Sequence, residues 1–148
     1  IWTWAGSTRW YSNCHSFLFE YHLEPAAQDD IQTKMNDNLA FRKAHQPSLA
    51  LPNCGSIFKN PQKDSAGRLL DSIGAKKLTS GGVKVWENHA NFIVNHNNGT
   101  SLDVLNLMAQ MYIKVKENYN KELHPEIRFL GGNNEKENEL CKILYKIK

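Results

Sequence analysis

Every apolar stretch in this chain is short, and most of them end at a residue that breaks regular structure. Residues 17–23 form an apolar and aromatic run that stops before Pro25, and residues 127–130 form another that stops at a Gly-Gly pair. None approaches the roughly 20 residues that a helix needs to cross a bilayer. At 148 residues the chain is long enough for one domain with a sizeable core. We therefore expect a globular domain built from short elements, with no membrane partner.

Two stretches have the periodicity of long helices. In residues 28–45, the side chains of Ile31, Met35 and Leu39 fall on one face, with acidic residues in the first turn, basic residues in the last and Pro47 beyond. A second helix is predicted after Thr100, which forms a capping-box pattern with Asp103. Its apolar stripe consists of Val104, Leu107, Met108, Met111 and Val115. Both stripes are predicted to lie in the core.

The remaining segments predict short elements and loops. Residues 47–62 contain three prolines and Gly55, which indicates a loop. The polar residues 133–148 predict a helix through Leu140, Ile143 and Leu144 that is weakly attached or frayed. Strands are predicted at residues 17–23, 83–86, 91–95 and 127–130, and a short helix at residues 66–73.

The order of these elements favours one fold class. Strands and helices alternate without a regular βαβ rhythm, which predicts an α+β fold. We expect a small mixed or antiparallel sheet that packs against two longer helices and one short helix. Three units are expected along the chain: residues 1–16 as the edge of a preceding domain, residues 17–132 as the main domain, and residues 133–148 as a polar extension.

Charge and cysteine usage exclude several classes of function. The net charge of +3 is small and its residues are scattered, so the sequence predicts no nucleic-acid partner, although a small anionic ligand would fit. Cys14, Cys54 and Cys141 are widely spaced, odd in number and without metal-ligand spacing, which favours reduced thiols in a cytoplasmic protein and no metal. Because the chain starts with Ile1 rather than Met, we expect it to be a fragment.

The segment from residue 51 to residue 61 has the highest density of groups able to act on a ligand. Its prolines restrict the loop, and Gly55 allows close backbone approach. Ser56 can donate a proton, Asn60 can donate and accept hydrogen bonds, and Lys59 supplies positive charge. Taken alone, the same residues are also compatible with an ordinary surface turn.

Two further segments carry candidate residues. His89 directly precedes a predicted strand, where its ring would be held rigidly, but a lone histidine is more often a structural group. Glu126 and Arg128 are two residues apart on the last predicted strand and therefore share a face. An exposed ion pair is the ordinary explanation for that pair.

Together these segments resemble the C-terminal domain of the UDP-N-acetylenolpyruvoylglucosamine reductases. That family has Gln-Pro, then Pro-x-x-Gly-Ser-x-Phe-Lys-Asn-Pro, a short helix led by Ala-Gly, a Gly-Gly turn, His-Ala-Asn-Phe and a closing Leu-x-Pro-Glu-Val-Arg-x-x-Gly. The corresponding residues here are 46–47, 52–61, 66–70, 81–82, 89–92 and 123–131, with Ile127 in place of the valine. The motifs occur in the family's order and at compatible spacing.

The resemblance implies a role for each matching residue. Ser56 would supply the proton, Glu126 would stabilise or protonate the intermediate, and Arg9 would assist at the substrate carboxylate, unless the alignment places Cys14 there instead. Asn60, His89 and Lys59 would lie on the substrate side, and Gly55 would approach the cofactor. Trp86 departs from the family, which has a small serine at that position.

The resemblance also implies domain roles, an activity, cofactors and partners. Residues 1–16 would be the remnant of a preceding flavin-binding region, and residues 17–132 would be the substrate-binding domain. The family's reaction reduces UDP-N-acetylglucosamine enolpyruvate to UDP-N-acetylmuramate in peptidoglycan synthesis, with FAD and NADPH as cofactors. We expect a monomer in the cytoplasm that binds this small-molecule substrate. The family's N-terminal half and its glycine-rich flavin-phosphate motif are not found in this sequence, so the chain alone is expected to hold FAD poorly.

Two alternatives stay open from the sequence. The chain would be a catalytically incomplete nucleotide-sugar-binding module if no flavin-binding part accompanies it. It would be a basic interaction domain unrelated to the reductases if the motif match were accidental.

Overall fold

The computed structural model describes residues 23–48, 50–131 and 134–146. Arg9, Cys14 and most of the strand predicted at residues 17–23 therefore lie outside the described residues. The elements are α1 (Gln28–His45), β1 (Asn53–Ser56), α2 (Ala66–Ser72), a 3-10 turn (Ala75–Lys77), β2 (Thr79–Ser80), β3 (Val83–Val85), β4 (Phe92–Asn95), α3 (Ser101–Tyr119) and α4 (Glu135–Tyr145). In the described part of the chain, no helix combines the length and apolar character that crossing a membrane requires.

The four strands form one antiparallel sheet in the order β1-β4-β3-β2. The α+β prediction is confirmed. The prediction that residues 47–62 form only a loop was wrong, because β1 lies within them and pairs with β4. A register shift between Asn53 and Ser56 accompanies the positive φ of Gly55, so the strand bends just before the serine.

Helix α3 carries most of the apolar contact with the sheet. It begins with the predicted capping box, in which the Thr100 side chain accepts from the backbone N–H of Asp103 and the Asp103 carboxylate accepts from that of Thr100. Leu107, Met108 and Val115 of its stripe are fully buried. Each such side chain contributes roughly 1.5–3 kcal/mol by leaving water, so this helix anchors the domain.

Helix α1 forms where predicted, but its stripe is not part of the core. Ile31, Met35 and Leu39 are 46%, 51% and 58% exposed, and no residue of α1 is buried. The three residues follow one another at intervals of four without apolar companions at i+3, so the stripe is narrow and drifts around the helix. Of the two longer helices, only α3 is packed against the sheet.

The predictions for the end of the chain needed two corrections. Residues 127–130 form no strand, because Pro125 has no N–H to donate and the pairing stops at a single bridge between Phe58 and Pro125. The predicted helix through Leu140 exists as α4, but it is neither frayed nor weakly attached. It buries Cys141 and Leu144 in the same core that contains the α3 residues.

Candidate functional site

Ser56 ends β1, a strand at the edge of the sheet. Its Cα lies opposite that of Phe92 in β4, and its side chain is half-buried. Within the described residues, its hydroxyl has no hydrogen-bond partner. The hydroxyl is therefore held by a folded strand and remains available to a ligand.

Gly55 sets the direction in which the serine leaves the strand. Its φ of +80° lies in the left-handed region, where a side chain would strain the backbone. Its N–H donates to Asn53 Oδ1 at 3.1 Å. An added Cβ would meet nothing within 4 Å, so the glycine is required for its backbone conformation rather than for space.

Glu126 lies beside the serine segment through backbone hydrogen bonds. The N–H of Glu126 donates to the carbonyl of Ile57 at 2.8 Å, and the N–H of Lys59 donates to the carbonyl of His124 at 2.9 Å. The side chains of Glu126 and Lys59 are exposed. Ser56 directly precedes Ile57, whose carbonyl binds the Glu126 N–H. Ser56 and Glu126, which are 70 positions apart in the sequence, therefore lie on neighbouring segments.

Asn91 is the structural residue that sequence reasoning missed. Its side chain is 3% exposed and brackets Phe58: Oδ1 accepts from the Phe58 N–H at 3.0 Å, and Nδ2 donates to the Phe58 carbonyl at 2.8 Å. Its own carbonyl accepts from the N–H of Ile57 at 3.0 Å. An asparagine at the start of a predicted apolar strand was the available signal, because a buried amide requires partners.

Asp64 ties the end of the same segment to the residues that lead to Glu126. Its carboxylate accepts from Arg68 at 2.6 and 2.7 Å and from Lys121 at 2.5 Å. The hydrogen bonds from Arg68, followed by those from Lys121, hold the pKa of Asp64 well below its usual range. Lys121 lies a few residues before Glu126, so its bond to Asp64 limits the positions that the Glu126 segment can take.

Asn60 has a structural task in addition to its predicted one. Its Oδ1 accepts from the N–H of Ala66 at 3.0 Å and thus binds the first turn of α2. Within the described residues its Nδ2 donates to no other group, so this amide is free for a ligand.

His89 lies on the α2 side of the sheet. Its Nδ1 accepts from the N–H of Asn91 at 3.1 Å, and its ring meets that of Phe92 edge-on, with 5.0 Å between the centroids. Burial is the main cause that lowers the pKa of His89, so the ring is neutral with its hydrogen on Nε2. It lines a small polar hollow together with Arg68 and Lys76, and that hollow includes neither Ser56 nor Glu126.

The lowered pKa of His89 predicts a pH dependence of stability. The unfolded chain takes up a proton near the ordinary histidine pKa of 6.5, whereas the folded chain does so only at lower pH. Acidification from pH 7 towards pH 5 should therefore lower the free energy of unfolding, and His89→Gln should reduce that pH dependence. Urea denaturation at several pH values measures it, and an unchanged slope in the variant would contradict the assignment.

Comparison with known proteins gives the family. A sequence model described as UDP-N-acetylenolpyruvoylglucosamine reductase, C-terminal domain, matches residues 46–130. The chain belongs to this family. The match contains the sheet, α2, α3 and Glu126, and it ends before α4.

Relatives in this family include proteins named UDP-N-acetylenolpyruvoylglucosamine reductase. The one from Limosilactobacillus reuteri is 41% identical over 75% of this chain and 37% of its own length, and one from Bacillus licheniformis is 43% identical over 74% and 59%. The crystal structure of the UDP-N-acetylenolpyruvylglucosamine reductase from Thermus caldophilus matches 72% of this chain and 37% of its own, with 34% identity and a TM-score of 0.58. The matches thus span between about one-third and three-fifths of these proteins' lengths.

Proposed function

We propose that this chain supplies the substrate-binding part of a reductase that converts UDP-N-acetylglucosamine enolpyruvate to UDP-N-acetylmuramate in peptidoglycan synthesis. The observation that carries the proposal is the backbone pairing that sets the Ser56 segment beside Glu126 in a chain of this family. FAD and NADPH would be the redox cofactors of the whole enzyme. The protein would act as a cytoplasmic monomer.

The described residues by themselves do not fit FAD. Two hollows that they line are each about 200 Å³, below the roughly 300–1,000 Å³ typical of ligand pockets. In the first turn of α2, the N–H groups of Ala66 and Arg68 are already bonded to Asn60 and Ser65 and are not free to bind a pyrophosphate. We therefore assign FAD binding to another part of the reductase.

The proposed chemistry of these residues is the supply of a proton. Reduction of an enolpyruvyl double bond leaves negative charge next to the substrate carboxylate, and a proton must neutralise it. The Ser56 hydroxyl, held by the strand and without a hydrogen-bond partner among the described residues, is the proposed donor. Glu126 would stabilise or protonate the same intermediate, and Arg9 would contact the substrate carboxylate.

Asn60, Lys59 and His89 would bind the nucleotide-sugar part of the substrate. The free Nδ2 of Asn60 is a donor and the exposed Lys59 is a cation, and both suit the oxygens of a diphosphate. Gly55, with open space around its Cα, would be the position of closest approach to the cofactor. His89, in the small polar hollow beside α2, would contact another part of the same substrate.

Binding of the enolpyruvyl substrate tests this proposal on the 148-residue chain. Asn60→Asp keeps the acceptor for the Ala66 N–H but replaces the free donor with a negative charge. We expect at least tenfold weaker binding by calorimetry, because a hydrogen bond to a charged group contributes about 1.5–3 kcal/mol. Asn118→Asp makes the same charge change on α3, outside the candidate site, and should leave the affinity unchanged. Absence of saturable binding to the unmodified chain would sink the proposal.

A second candidate function is a nucleotide-sugar-binding module without redox activity. The lack of fit to FAD among the described residues favours it for this polypeptide on its own. A flavin-binding sequence upstream in the same reading frame would favour the reductase instead.

A further inference from the structure

Helix α4 is an ordered element that the family assignment does not explain. It lies beyond residues 46–130, where the family match ends. Asn134 caps its first turn by accepting from the N–H of Lys136, and Cys141 and Leu144 are buried in the core that α3 also enters. In the same first turn, Glu137 accepts from the hydroxyl of Ser101 at 2.6 Å, which fixes the start of α4 to the start of α3.

The segment that carries Glu126 has little regular structure of its own. Between α3 and α4, the backbone pairing of the described residues with the sheet segment is limited to the bridge at Pro125 and the two backbone hydrogen bonds beside it. These contacts hold residues 124–126 from one side only, and Leu130 is 94% exposed. The backbone immediately after Glu126 therefore depends on another element to fix its position.

Helix α4 supplies contacts on both sides of Glu126. The hydroxyl of Tyr145 donates to the carbonyl of Ile127 at 3.1 Å, and the ammonium of Lys146 contacts the carboxylate of Glu122. Burial is the main cause that raises the pKa of Tyr145, so the phenol is protonated and donates at neutral pH.

The hydrogen bond of Tyr145 lies beside an incompletely packed part of the molecule. Tyr145, Ile127 and Phe129 line a hollow of about 200 Å³ between α3 and the Glu126 segment. Because apolar packing is incomplete there, the hydrogen bond has few neighbouring contacts that would compensate for its loss.

We propose that Tyr145 is a positioning residue that holds the backbone of Ile127 and thereby keeps Glu126 beside the Ser56 segment. The inference rests on the proposed role of Glu126 and adds to it an element outside the family match. It gives the C-terminal helix α4 a role in positioning the candidate site.

Amide hydrogen exchange in the 148-residue chain, followed by NMR, tests the inference. Tyr145→Phe removes only the hydroxyl, and we expect the Glu126 N–H to exchange about tenfold faster, the factor that corresponds to a hydrogen bond of about 1.4 kcal/mol. The N–H of Leu107, in the core of α3, should keep its rate. Equal rates at Glu126 in the wild type and the variant, or equal increases at Glu126 and Leu107, would overturn the proposal.

Tyr119→Phe is the matched control. It also removes one phenolic hydroxyl, which donates to Ser72 Oγ at 2.8 Å and links α3 to α2. It should lower the melting temperature to a similar extent without changing exchange at Glu126, and faster exchange there would show that Tyr145 has no special role.

Titration with UDP-N-acetylglucosamine enolpyruvate separates this inference from the proposed function. If the substrate fails to bind the wild type, the proposed function fails, and the exchange comparison still decides whether Tyr145 holds the segment. If it binds, the shift of the Glu126 amide on saturation should be smaller in Tyr145→Phe, and a shift of the same size would count against the inference.

Discussion

Ser56→Ala should abolish turnover in a reductase that joins this chain to a flavin-binding part, while NADPH still reduces the flavin. The variant removes the proposed proton donor but leaves β1 intact, because the serine is half-buried at the end of an edge strand. General acid catalysis contributes roughly 10²–10⁴-fold, so reoxidation of the flavin by substrate should slow by at least 100-fold. Stopped-flow absorbance separates the two half-reactions.

The control for Ser56→Ala is Ser80→Ala. Ser80 lies in β2, at the opposite edge of the same sheet, and its partner in β3 is Val83. Both half-reactions should keep their rates in that variant. Normal reoxidation in Ser56→Ala would remove the serine from the proton-donor role.

Asn91→Ala should cost about 2–5 kcal/mol of the free energy of unfolding. The change leaves the buried N–H and carbonyl of Phe58 without their hydrogen-bond partner. Each of these groups then costs about 1–3 kcal/mol. Urea denaturation gives the difference. Because Phe58 lies two residues after Ser56 and forms the bridge to Pro125, the folded fraction of the variant should also bind the enolpyruvyl substrate more weakly.

Asn95→Ala is a closely matched comparison. Asn95 brackets Gly99 in the same way, accepting from its N–H at 2.8 Å and donating to its carbonyl at 2.9 Å. Asn95 and Gly99 are both half-buried, so water can replace part of the lost contact and the cost should be nearer 1 kcal/mol. Equal costs at the two positions would contradict the view that burial makes Asn91 critical.

Local signals allowed the helices, β3 and β4 to be predicted, but they missed β1 and predicted a strand at residues 127–130 that does not form. The boundaries of α1 and the capping box of α3 follow from residues within one turn, which is why both were found. Burial of α1 depends on whether another element lies against it, and periodicity does not report that. Similarly, Pro52 and Gly55 indicate a loop locally, yet β1 forms because β4 offers pairing partners: Val94 for Asn53 and Phe92 for Ser56.

In the candidate site, too, the sequence identified individual residues but not the tertiary contacts between them. Ser56, Asn60 and Glu126 were chosen through the resemblance, and their spacing in sequence gives no hint that residues 57 and 126 share a hydrogen bond. Asn91 was missed because its role is to satisfy backbone groups on another segment. Such pairings depend on tertiary structure, which one sequence without its homologues does not reveal.

Because β1 lies at the edge of the sheet, the residues proposed to act are different from the residues that stabilise the fold. The side chains proposed to act lie at half-buried or exposed margins, whereas the interior is built largely from α2, α3 and the two central strands. A lineage that lost the reaction could therefore replace these marginal residues and keep a well-folded protein. For that reason, a conserved fold in a distant organism does not by itself indicate that the enzymatic activity is conserved.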